Sequence, residues 1–230
     1  LGFILDGIVQ AFVLLYSGNE ETYSAINATL ITSSISIVFS LLIGMPIGFC
    51  LGFYKFKGAK TLKLLSDTAL AMPTVAIGLI LYAFISSRGP FGFMGLLFTL
   101  KAVILGQIFL SLPIIISLTA SVVENMDKKH LLTIKSYQLS SFKQVLTVLY
   151  ELRYSLMVVV ATAYGRIVAE VGVAMMVGGN IKWFTRTITT AVSLETNKGE
   201  FAMGIALSMV LIAMAFGVNL AIHAFKRFDK

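Results

Sequence analysis

Charge is what this sequence is shortest of. Asp, Glu, Lys and Arg make up 13% of its 230 residues, where a soluble domain carries about 25%. Hydrophobic residues make up 57%, and mean hydropathy is +0.90. That excludes an ordinary water-soluble globule. Cysteine is nearly absent. Cys50 stands alone, which excludes a disulfide framework and any multi-Cys zinc or iron–sulfur site. His130 and His223 are too few for a His-rich metal site. No Gly-x-x-x-x-Gly-Lys-Ser/Thr loop is present to cradle nucleotide phosphates, and no His-Glu-x-x-His. No Ser/His/Asp set stands where nucleophile and base would share a depth. No long polar stretch marks a separate soluble domain, and no internal repeat is visible. Residues 1–230 therefore read as one all-α membrane domain with no metal, no cofactor and no catalytic centre of its own.

What is present in quantity is long apolar runs. A helix needs about 20 largely apolar residues to cross a bilayer core of about 30 Å. Five stretches qualify: about Ala25–Phe53, Leu64–Ile85, Leu100–Val123, Tyr154–Val177 and Phe201–Phe225. Leu1–Tyr16 is apolar but short and carries Asp6 and Gln10, so it reads as an interfacial helix, closed by the turn Ser17-Gly18-Asn19-Glu20. The opening Leu1-Gly2-Phe3 lacks the charged region expected of a cleavable signal peptide.

The cations fix an orientation. The loop after the first span, the loop after the third and the tail together hold twelve Lys and Arg, among them Lys55, Lys57, Lys60, Lys63, Lys128, Lys129, Lys135 and Lys143. On the other side Arg88, Lys101, Lys182, Arg186 and Lys198 are balanced by Asp6, Glu20, Glu21, Glu195 and Glu200. The basic side is the cytoplasmic one. The N-terminus is then expected outside and the C-terminus inside. Topology accounts for the net charge of +7, and no nucleic-acid partner is needed to explain it.

Polar residues inside the spans are the functional candidates, because they are costly there. The fourth span holds Arg166 and Glu170, spaced i, i+4 and able to pair, with Gly165 and Gly172 beside them. They read either as an internal ion pair holding helices together or as a polar patch on a water-filled path. Gln107 in the third span is a further path candidate. Asp67, near Lys63, reads as a snorkelling surface carboxylate. Gly44, Gly48 and Gly52 form a small-xxx-small face suited to close helix packing. Pro46, Pro73 and Pro113 are each expected to interrupt a span. Ser86–Thr99 and Asn180–Glu200 are expected to be outer loops, with Trp183 as an interfacial anchor.

The longest cytoplasmic segment is Asn125–Arg153. Phe142, Val145, Leu146 and Leu149 recur at helical spacing, and Ser140 or Ser141 is suited to cap a helix there. The segment reads as two short helices, lying on the membrane surface or docking a soluble partner.

These residues resemble the membrane permease subunits of ATP-binding-cassette importers for oxyanions (molybdate, sulfate, tungstate). Residues 164–181, from Tyr164-Gly165-Arg166 through Glu170-Val171-Gly172 to Gly179-Asn180-Ile181, carry the resemblance, with Thr185-Arg186-Thr187 after them. Within that group the chain looks most like the tungstate-type permeases, through residues 73–82, 89–99 and 194–201. The resemblance implies a fold like type I importers. It also implies a second copy of the chain, a cytoplasmic ATPase dimer that binds ATP and Mg, and an extracytoplasmic tungstate-binding protein. The site is then the inner membrane of a prokaryote. It further implies that Leu132, Thr133, Ile134, Lys135, Ser136, Tyr137, Gln138, Leu139, Ser140 and Ser141 form the ATPase-coupling loop. The family's Glu-Ala-Ala is replaced there by Thr133-Ile134-Lys135, its turn Gly is missing, and so is its later Pro.

Overall fold

The computed structural model describes residues 2–127 and 140–228. Among them the helices are α1 (Gly2–Tyr16), α2 (Glu20–Phe53), α3 (Ala59–Leu70), α4 (Thr74–Ile85), α5 (Leu100–Glu124), α6 (Ser141–Glu151), α7 (Arg153–Val168), α8 (Gly172–Gly178), α9 (Ile188–Asn197) and α10 (Phe201–Phe228). A single 3-10 turn, Gly92–Met94, lies between α4 and α5. Helices α2, α5 and α10 are each long and apolar enough to cross a bilayer, and two bent pairs raise the candidate spans to five.

The centre of the fold is the seam between α2 and α5. Asn19 starts α2 by accepting the Thr22 N–H at 2.9 Å, and Thr99 caps α5 through Ala102. A Cβ on Gly48 would stand 2.6 Å from Ile116 O, and one on Gly52 would stand 2.5 Å from Ala120 O. Only a missing side chain lets the backbones come this close. Ser36 donates to Gln107 Oε1 at 3.0 Å, and Ser40 and Ser111 share a hydrogen bond of 2.6 Å across the same seam. The small-residue stripe therefore does what its spacing implies.

Pro46 and Pro113 do not interrupt their helices. Both α2 and α5 run through them. Each removes one N–H from the ladder, which a helix tolerates when neighbouring helices support the backbone. Pro73 does mark a break. The stretch expected to be one span, Leu64–Ile85, is two helices, α3 and α4, bent by 101°. At 12 residues, α4 extends about 18 Å, well short of a bilayer core. The fourth span is also broken. Its helix α7 ends at Val168, the chain turns at Ala169–Val171, and α8 resumes at Gly172.

Two further differences follow from packing. The segment expected to be an outer loop, Asn180–Glu200, contains α9, whose Ile188, Thr189, Thr190 and Ala191 are buried. Thr187 and Thr190 form a capping box that starts it. Asp67 is more than a snorkelling carboxylate, since it accepts a hydrogen bond from Ser117 of α5. Lys63 pairs with Glu124 one turn away. The short α1 lays Ala11 and Leu14 on Ala206 of α10 and exposes Leu5, Val9, Phe12 and Val13.

Candidate functional site

Two helix breaks meet at one point. A Cβ on Gly172, the first residue of α8, would lie 2.9 Å from both Thr74 Oγ1 and Val75 Cγ2 at the start of α4. The break after α7 therefore rests against the break after α3. Behind this contact Leu81, Ile85, Ala102, Val103, Val173, Ala174 and Val177 form a continuous apolar cluster. Gly78 adds a close approach to Val173 and Met176. The interior holds both broken helices from one side.

Arg166 and Glu170 frame the break. Arg166 Nη1 donates to Glu170 Oε2 at 3.1 Å, so the spacing does bring the pair together. The two are not on one continuous helix, because α7 has ended before Glu170. Their environments differ sharply. The Glu170 side chain is 2% exposed and that of Arg166 is 49% exposed. Glu170 Oε1 accepts the Val173 N–H at 3.2 Å, and Thr189 Oγ1 donates to the Glu170 carbonyl at 2.8 Å. Glu170 thus joins α7, α8 and α9. A buried carboxylate is costly unless it is paired and hydrogen-bonded, and here both conditions are met. Nothing in the local sequence forecast the Thr189 bond, since no periodicity links a turn to a helix start 19 residues on.

Gln107 is 2% exposed and lies inside the α2–α5 seam, bonded to Ser36. It does not touch the Arg166–Glu170 pair through any described bond. Gly165 has open space where a side chain would be.

A second polar network closes the opposite end of the bundle. Arg186 donates to Glu21 at 2.5 Å and to Asn180 Oδ1 at 3.1 Å, and Lys182 pairs with Glu21 at 2.7 Å. Thr29 Oγ1 accepts the Ile188 N–H at 2.9 Å. Together these tie the start of α2 to the segment leading into α9. Trp183 is exposed, stands at φ +67° and lies beside the Lys182 ammonium.

The expected coupling residues Leu132–Leu139 lie outside the described residues. Ser140 and Ser141 are described. Ser140 takes the N-cap position of α6, though its side chain makes no capping bond. The apolar face of α6 differs from the expectation. Val148, fully buried, packs with Phe49 and Val123, supported by Val145, Leu149 and Leu152. Phe142, Leu146 and Tyr150 point away and are 50–72% exposed. Helical spacing found the amphipathic helix, but it merged two apolar rows into one.

The model of the binding-protein-dependent transport system inner membrane component family matches residues 44–228. The tungstate uptake system permease protein of Campylobacter jejuni is 63% identical over 227 residues, covering 99% of this chain and 95% of that protein. The protein of the same name from Peptoclostridium acidaminophilum is 31% identical over 222 residues, 96% of this chain and 97% of its relative. The molybdenum transport system permease protein of Azotobacter vinelandii is 25% identical over 218 residues, covering 91% and 96%. Among solved structures, the inward-facing MetNI methionine ABC transporter matches with a TM-score of 0.75 at 14% identity, over 91% of this chain and 96% of that one. At that identity the likeness is one of fold. With the family model matched over residues 44–228 and a 63% identical relative along nearly all of its length, the chain belongs to the binding-protein-dependent transport system inner membrane components.

Proposed function

We propose that this chain is the membrane permease subunit of an ATP-driven tungstate importer. The observation that carries the reading is the 63% identity with a tungstate uptake permease over 99% of the chain. Two copies pair around a central path. A separate cytoplasmic ATPase dimer holds ATP and Mg and docks on the loop at residues 125–153. An extracytoplasmic tungstate-binding protein delivers the anion to the outer face, where the N-terminus lies.

The broken helices give this reading its mechanism. Helices α4 and α8 are short pieces that meet at Gly172 and Thr74, so they can tilt without unravelling a full span. Arg166 and Glu170 set the position of α8 relative to α7. Gln107 holds the α2–α5 seam as a frame against which they move. ATP-driven closure of the ATPase dimer reaches this point through the coupling loop, α6 and α7, and the path opens to one side at a time.

The test is substrate-stimulated ATP hydrolysis by the chain reconstituted with its ATPase and binding protein, comparing tungstate, molybdate, sulfate and phosphate. Stimulation by tungstate at the lowest concentration is the expected result. Stimulation first by molybdate would reassign the substrate, and failure to assemble with any ATPase would overturn the importer reading.

A further inference from the structure

The exposed face of α7 is unlike those of the long helices α2 and α10. Its exposed residues are Ser155, Val158, Thr162, Gly165 and Arg166. They are three or four apart until the last, so they form one stripe along the helix. On those two long helices the exposed faces are what lipid requires. Helix α2 shows Ile31, Ile35, Val38, Phe39 and Leu42, and α10 shows Ile212, Phe216 and Leu220. On α7, Val158 is the one large apolar side chain exposed. Of the groups on this stripe the half-exposed guanidinium is the one most costly against hydrocarbon, whereas water solvates it freely.

Beside this stripe lies a cavity of about 490 Å³ between α5 and α7, where Ser121, Asn125, Ser155 and Thr162 stand among apolar side chains such as Leu118 and Val122. Asn125 sits just past the end of α5, where the 125–153 segment begins. The cavity and the stripe therefore run from that end of the bundle toward the helix breaks.

We infer that this face of α7 lines the cytoplasmic half of the anion path, and that Arg166 at its inner end is a cationic contact for the passing oxyanion. The inference rests on the proposed importer function. The charge arrangement supports it. Glu170 is buried and shares its carboxylate with the Val173 N–H, while Arg166 offers Nη1 to Glu170 and its side chain stays half exposed. The two members differ in exposure, and the cationic one is the one left open at the end of the stripe. A guanidinium presents several donors in a fixed plane, suited to the oxygens of a tetrahedral dianion. Ser155 lies further out along the same face, and the Thr162 hydroxyl, now donating to Val158 O at 2.8 Å, has only to turn to meet an oxygen.

The test uses the complete transporter in liposomes, with Cys50 replaced by Ala and single cysteines at Ser155→Cys, Thr162→Cys and, as a lipid-facing control, Phe216→Cys. An impermeant cationic methanethiosulfonate reacts only where water reaches the thiol. Expected is labelling of Ser155→Cys and Thr162→Cys at least tenfold faster than the control, from the side carrying residues 125–153, and a tenfold slowing when the ATPase is trapped with ATP and vanadate. Labelling of both at the control rate, or only from the opposite side, would overturn the inference. The Arg166 contact has its own arm. At equal complex yield, Arg166→Lys should keep tungstate uptake within threefold of the parent, and Arg166→Gln should lose at least tenfold. Equal loss in both would remove the anion contact. Where Arg166→Gln does not assemble, uptake by Arg166→Lys below a tenth of the parent at full yield would remove it instead. Labelling is blind to the cargo. State-dependent labelling without tungstate uptake would therefore sink the substrate and leave the path, and uptake without labelling would do the reverse.

Discussion

Alanine substitutions along the glycine stripe of α2 should destabilise the protein in a graded order that the structure sets. At Gly44 the added Cβ would meet the Ile115 Cγ2 methyl at 3.0 Å, a side-chain contact several tenths of an ångström longer than the backbone contacts further along. At Gly48 and Gly52 it would meet the carbonyl oxygens of Ile116 and Ala120 at 2.6 and 2.5 Å, backbone that moves only if α5 moves. Relief to ordinary contact requires the helices to part by most of an ångström. That would stretch the Ser40–Ser111 bond of 2.6 Å and the Ser36–Gln107 bond of 3.0 Å, both buried in the same seam. Overpacking of this kind costs about 1–3 kcal/mol, and interhelical hydrogen bonds in membranes add about 0.6 kcal/mol each when lost. For a chain of this size about 1 kcal/mol moves a melting midpoint by about 2–4 °C. Gly48→Ala and Gly52→Ala should each lower the midpoint of the detergent-solubilised protein by several degrees, and Gly44→Ala by less. Gly165→Ala, with open space around it, should leave it unchanged or raise it, since Ala is the better helix former by about 1 kcal/mol. The assay is intrinsic-fluorescence melting at one heating rate with all four variants side by side. Midpoints for Gly48→Ala and Gly52→Ala no lower than for Gly44→Ala would refute the close-approach argument.

Glu170→Gln keeps an oxygen for the Val173 N–H but loses the charge that holds Arg166; expected is normal assembly with the ATPase and tungstate uptake reduced at least tenfold, and unchanged uptake would reduce the pair to a structural tie. Glu21→Arg gathers three cations where one carboxylate now serves Lys182 and Arg186, so melting should fall by a few degrees. Combining it with Arg186→Glu should recover part of that loss, and a double variant no better than the single one would show that the contact contributes nothing.

The sequence revealed most where the physics was local. The four-residue spacing of Gly44, Gly48 and Gly52 is a helix face, and it lies in the seam. The i, i+4 spacing of Arg166 and Glu170 allowed a contact that forms at 3.1 Å. Hydropathy found the apolar stretches but not their breaks, because residues 64–85 stay apolar through a 101° bend. What bends them is Pro73 together with tertiary packing of α3 on α5, including Asp67 on Ser117. Pro46 and Pro113 looked like the same signal and were not, since their neighbours support an unbroken helix. The split of the α6 row was hidden because Phe142 and Leu146 are as apolar as Val145 and Leu149, which pack. Long-range ties such as Arg186 to Glu21 leave no trace in any periodicity.

Those ties also set an order of events during synthesis. Glu21 and Thr29 belong to the first long helix to emerge, yet their partners Arg186 and Ile188 lie 165 and 159 residues later. The α2–α5 seam can close as soon as Glu124 has left the ribosome. The N-terminal end of α2 cannot be satisfied until about four-fifths of the chain has been made. A nascent chain stalled between these points would hold a finished α2–α5 seam and an open end of α2, with an unpaired carboxylate. The segment leading into α9 then acts as the clasp that closes that end.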